Sequence, residues 1–149
     1  MSNIYPVITL YQPWATWIMR GWKTIETRTH NRFASLNHKT ILIHAGQRTD
    51  VIFSHPFLTE EQLNYNPEEV VNGFILGSAY VDATGLLSGD WVENKSALIH
   101  TLDRYGLFLK DIEKFKEPIP CKGEMGIWYY DLDLKQKVRK PKPTENVLF

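Results

Sequence analysis

The chain has 149 residues, 43% of them hydrophobic and 13% aromatic, which suffices for one hydrophobic core and not for two. Its apolar runs fall far short of the roughly 18 to 20 residues of a membrane-spanning helix, and Met1-Ser2-Asn3-Ile4-Tyr5 lacks the basic-then-apolar order of a secretory signal, so a soluble, cytoplasmic protein is expected. Cys121 is the single cysteine, which excludes an intramolecular disulfide and a cysteine zinc cluster, and a formal net charge of zero conceals a strong regional asymmetry.

Residues 1–48 carry six Lys/Arg against one acid, Glu26. Residues 49–134 carry six Lys/Arg against fifteen Asp/Glu, and the segment from Lys135 onward has five bases against Glu145. A surface divided in this way can attract a polyanion locally without a basic isoelectric point.

In chain order, Val7 to Tyr11 reads as a short strand stopped by Gln12-Pro13. Pro13 to Arg20 then reads as a helix with Trp14, Trp17 and Ile18 on one face and Gly21 at its left-handed cap. Trp22 to Thr29 alternates β-branched and polar residues, the pattern of a strand with Thr24, Glu26 and Arg28 on one face. Strict alternation puts Lys23 on the opposite face, so Lys23 joins Glu26 and Arg28 only if it lies in a turn before the strand.

Thr40 to Ala45 reads as a buried strand, and Gly73 to Thr84 as a longer one. The small residues of the set Ile75, Gly77, Ala79, Val81 and Ala83 suit one face of a tight barrel, or a backbone approached closely by another element. Thr59 and Gln62 form a capping box, and Asn66-Pro67 through Gly73 mark a second short helix. Residues 91–103 are a further candidate for a helix. Pro118 to Gly126 reads as turns, and Gly126 to Leu132 as the last strand. The expected organisation is one domain over residues 1–134, followed by a basic, proline-bearing tail over 135–149 that is an extended arm or a flexible segment. Strands with inserted short helices and no βαβ alternation indicate an α+β fold built on a mainly antiparallel β-barrel.

Several side chains carry chemistry. Lys23 can act as a phosphate-binding point charge, or as a base if burial lowers its pKa. Glu26 and Arg28 can form a structural ion pair; alternatively, Glu26 holds Arg28 so that its planar fork grips a phosphate or a base edge. Glu26 can also serve as a general base or ligate a divalent metal, which an RNA-cleaving mechanism would use. Gln12 borders a candidate cleft. Trp14 either stacks on a base or joins the core, and His44, ending a buried strand, is either a core histidine or a cleft residue. The sequence has no Ser-His-Asp order, phosphate-loop glycine pattern or metal-binding histidine pair at helical spacing.

Leu10-Tyr11-Gln12-Pro13-Trp14, a short helix, and then Gly21-x-Lys23-x-x-Glu26-x-Arg28 resemble the opening of ASCH domains of the PUA-like superfamily. Ile41 to Ala45, Gly77 and the stretch from Lys122-Gly123 to Trp128 are similar to later parts of that pattern, over roughly residues 6–132. The resemblance implies a PUA-like barrel of five or six strands with short flanking helices, and a cleft beside the motif that engages RNA or a nucleotide. It also implies two chemistries: RNA cleavage, and amide hydrolysis of N4-acetylcytidine by the motif lysine and a threonine three residues after it. Here that position is Glu26, and Thr24 is the nearest hydroxyl. The expected roles are therefore catalysis by Lys23, Glu26 or Thr24 and RNA binding by Gln12, Trp14, Lys23, Arg28 and His44. A non-catalytic protein-interaction module is the third expectation.

Overall fold

The computed structural model describes residues 3–50, 59–63, 70–87, 90, 96 and 104–142. Their strands are β1 (Ile4–Gln12), β2 (Ile25–Arg28), β3 (Thr40–Thr49), β4 (Phe74–Leu86), β5 (Tyr105–Pro120), β6 (Trp128–Asp131) and β7 (Gln136–Val138). The helices are α1 (Trp14–Met19) and α2 (Glu60–Leu63), with a 3-10 turn over Arg32–Leu36.

The seven strands form one sheet in the order β2-β5-β4-β3-β1-β6-β7, and the sheet is not closed. This corrects the expected barrel of five or six strands. All the pairings are antiparallel except β1 with β3. The parallel pair arises because α1 and β2 intervene between two strands that run in the same direction.

Gly21 ends α1 as its position suggests: its φ is +77°, its N–H donates to the Ile18 carbonyl at 3.0 Å, and the Trp22 N–H donates to that of Trp17 at 3.0 Å. The capping box also forms, Gln62 N–H donating to Thr59 Oγ1 at 3.1 Å and Thr59 N–H to Gln62 Oε1 at 2.9 Å. The helix expected from Asn66 lies mostly outside the described residues, as does the candidate helix over 91–103 apart from Ser96. Just past the expected domain boundary, Gln136–Val138 pair with Tyr129–Asp131, so the first part of the basic tail belongs to the sheet.

Both faces of the sheet are covered. Ile8, Leu10, Ile41, Ile43, Ala79 and Val81 pack with Ile18 of α1, and Val7, Leu42, Ile75, Trp128 and Tyr130 form a second cluster. Ile75 therefore does not share a face with Ala79 and Val81. The pairing of β4 with β5 shifts register between Ile75 and Gly77, and one bulged residue moves every later side chain to the other face.

Candidate functional site

β1 is paired with β6 only over Ile4–Val7, so beyond Val7 its second side faces no strand among the described residues. The sheet edge β2 approaches that side: Arg28 Nη2 donates to the Thr9 carbonyl at 3.3 Å, across the seam a closed barrel would zip up. A cavity of about 740 Å³ opens at this seam. Thr9, Leu10 and Tyr11 line one wall and Glu26, Thr27 and Arg28 the other. Trp14 and Lys23 reach it from α1 and the turn that follows, and its rim holds His30, Arg32, Phe33, Arg104, Glu124 and Met125.

β2 starts only at Ile25, so Lys23 lies in the turn before the strand. That is the condition under which it can meet Glu26 and Arg28, and the three converge. Lys23 is 4% exposed and Glu26 5%. The Lys23 ammonium stands 3.6 Å from Glu26 Oε1, while Arg28 Nη1 donates to Glu26 Oε2. Burial pushes the Lys23 pKa below its ordinary value; the Glu26 charge opposes the shift, and Arg28 and Arg104 add to it. The lysine ammonium also lies 5.6 Å from the centre of the Trp14 ring. That ring is fixed by its Nε1–H, which donates to Asp50 Oδ2 at 2.9 Å, and by edge contact with Trp17 at 5.4 Å. Trp14 thus lines the cavity but offers its face to Lys23. Arg28 Cζ lies 5.1 Å from the centre of the Phe33 ring, a cation–π contact at the cavity wall.

Three expected site residues lie outside the cavity lining. Gln12 is fully buried: its side-chain oxygen accepts from the Thr16 N–H at 3.0 Å, and its amide donates to Thr16 Oγ1 and the Val71 carbonyl, each at 2.8 Å. Its amide is committed to holding the start of α1. Thr24 joins the sheet through its backbone, its carbonyl accepting from Leu109 N–H at 2.9 Å. His44 is buried against Trp128, and its Nε2–H donates to the Cys121 carbonyl at 2.6 Å. Burial holds the His44 pKa below the usual histidine value, against the Cys121 hydrogen bond, which raises it. Its folded pKa being depressed, the unfolded chain takes up more protons below about pH 6.5, and stability is lost as pH falls through that value. Thermal melting between pH 7.5 and 5 is expected to show this decline, and His44→Asn to flatten it.

The sequence pattern missed Tyr11, Thr27, Arg32, Phe33 and Arg104 as cavity residues. Arg32 belongs to the basic N-terminal region, and no local pattern gives it a place in the fold. Arg104 arrives through long-range pairing: Arg28 is opposite Tyr105, and Arg104 Nη2 donates to Thr27 Oγ1 at 3.1 Å. No periodicity reports such a contact. Among the described residues, no group of three or more His, Cys, Asp and Glu side chains is placed to hold a metal ion. Of the two described carboxylates at the cavity, Glu26 is engaged by Lys23 and Arg28 and Glu124 by Lys137, so the described donor set does not fit a divalent cation. Among the described residues, no helix is long and apolar enough to cross a membrane.

No curated protein matches the sequence. Among solved structures, the chain is similar to an ASCH protein from Zymomonas mobilis, at 20% identity and a TM-score of 0.48, covering 76% of this chain and 71% of that one. It is also similar to two mutants of a Zymomonas mobilis ASCH protein. For a tyrosine-to-phenylalanine mutant the figures are 18% identity, TM-score 0.42 and coverage of 77% and 74%. For a serine-to-alanine mutant they are 17%, 0.44, and 79% and 75%. The family model for the ASCH domain matches residues 8–132, and the chain belongs to that family.

Proposed function

We propose that the seam cavity binds a nucleotide unit of single-stranded RNA, its phosphate held by Arg28, Arg32 and Arg104 and its base laid against Tyr11. The observation that carries this reading is the convergence of Lys23, Arg28, Arg32 and Arg104 on one cavity of about 740 Å³, against Glu26 and Glu124 among the described residues. That volume suits a mononucleotide-sized ligand. Tyr11 is 49% exposed and Met125 98%, which leaves two apolar surfaces at the mouth for stacking and contact with a base.

The test is equilibrium binding of nucleosides and nucleoside monophosphates at low salt. The monophosphate is expected to bind more tightly than its nucleoside, and Arg28→Lys to weaken it at least about tenfold, because a point charge cannot replace a planar fork at a phosphate. Equal affinity for nucleoside and monophosphate would defeat the assignment of the arginines, and no binding of either would defeat the reading itself.

A hydrolytic reading has a specific support. Thr27, rather than Thr24, is the motif threonine on the cavity wall, and burial lowers the pKa of Lys23 beside Glu26, the direction that favours an amine accepting a proton from a hydroxyl. Acetate release from N4-acetylcytidine that Thr27→Ala abolishes and Thr24→Ala spares would establish it. Cleavage of RNA dependent on Lys23 would establish a nuclease instead.

A further inference from the structure

A second cavity of about 610 Å³ adjoins the first, and its lining includes Ser35, Glu124, Trp128, Lys137, Arg139 and Lys140. The 3-10 turn borders both cavities, with Arg32 and Phe33 on the first and Ser35 on the second. Glu124 lines both, and its Oε2 is 3.2 Å from Lys137 Nζ, so the carboxylate sits where the two meet. Lys137 also lies over the Trp128 ring at 5.3 Å. Arg139 and Lys140 are exposed, and neither forms an ion pair with another described residue. Three cations are thus gathered at one edge of the sheet beside a cavity already rich in arginine.

We infer that this edge is a phosphate track, and that the ligand of the protein is a single-stranded polynucleotide whose chain runs from the seam cavity past Glu124 onto Lys137, Arg139 and Lys140. The inference rests on the reading of the seam cavity as a nucleotide site. A free nucleotide would use that cavity alone and gain nothing from β7. A chain with further phosphates would reach the three cations, and each single-strand phosphate neutralised contributes about 0.7 to the slope of log affinity against log salt. Glu124 restrains the track: its negative charge stands at the junction and engages the Lys137 ammonium.

The experiment compares a nucleoside monophosphate with dodecamers of single-stranded RNA and of DNA of the same sequence, each titrated across a salt series. The dodecamers are expected to bind more tightly than the monophosphate. The triple variant Lys137→Gln, Arg139→Gln, Lys140→Gln should lose roughly 2 from the dodecamer salt slope and about 100-fold in affinity at 0.1 M salt, with the monophosphate affinity retained. Glu124→Gln should raise dodecamer affinity about fivefold at the same salt by releasing Lys137, a gain that misfolding cannot produce. Equal affinities for monophosphate and dodecamer, an unchanged salt slope in the triple variant, or equal competition by a poly-glutamate peptide would each overturn the track. If the monophosphate fails to bind while dodecamer binding still depends on the three cations, the cavity reading fails and the track stands.

Discussion

Replacing Glu26 with glutamine is expected to lower the melting temperature by roughly 6 to 12 °C, whereas Lys23→Met leaves it at or above the wild-type value. The asymmetry follows from the order of charges. Glu26 is the common partner of Lys23 and Arg28, and it and the lysine are almost fully buried. Removing its charge takes away the carboxylate that the two cations share, a loss of about 3 kcal/mol or more. Removing Lys23 instead leaves Glu26 paired with Arg28 and relieves the desolvation that dominates the lysine's shift. Methionine then fills the space beside Trp14 with an apolar chain of similar length. The same variant should lose any turnover that uses Lys23. Because Glu26 holds the lysine pKa up, Glu26→Gln should also move the pH profile of any turnover that uses Lys23 to lower pH. Equal melting temperatures for wild type and Glu26→Gln would mean that the Glu26 charge does not stabilise the two cations.

The N-terminal quarter of the site was legible because local rules govern it. A proline after a strand, tryptophans at helical spacing and a glycine at the left-handed cap delimit α1, and the short turn after Gly21 brings Lys23 round to Glu26. β5 was illegible for the opposite reason. Its pairing with β4 shifts register three times and Asp111 has φ of +50°, so half-buried Ile112 and Phe115 fall three apart amid exposed charges, a spacing that suggests a helix as readily as a strand. The cavity inherits this difference. The motif pattern points to Trp14, Lys23, Glu26 and Arg28, whereas Arg104, Glu124 and Met125 are delivered across the seam by the irregular strand and the turns after it. A buried polar residue at a strand end looks the same in sequence whether it serves a ligand or satisfies a neighbouring backbone group; in the fold Gln12 and His44 lie outside the cavity lining and bond to the backbone of Thr16 and Cys121.

Gly77→Ala should be the most disruptive single-methyl change in the sheet, costing about 3 kcal/mol and again roughly 6 to 12 °C of melting temperature. A methyl group there would clash with the Glu113 carbonyl oxygen and lie 2.7 Å from Met19 Sδ and 3.0 Å from Lys114 Cα. The methionine can swing aside, but the two backbone atoms belong to β5, which pairs with Gly77 between two register shifts. Relief therefore requires β5 to move away from β4, opening the pairing that holds the two longest strands together. Gly85, on the same strand, is the control: a methyl group there meets nothing within 4 Å, and Gly85→Ala is expected to stay within about 0.5 kcal/mol of wild type. Met19 ends the helix that carries Trp14, the ring against which Lys23 rests, so a strained Gly77 should also weaken nucleotide binding in the molecules that remain folded. If Gly77→Ala melts like Gly85→Ala, the close approach of β5 does not set the sheet's spacing, and α1 takes its position from the core cluster around Ile18 alone.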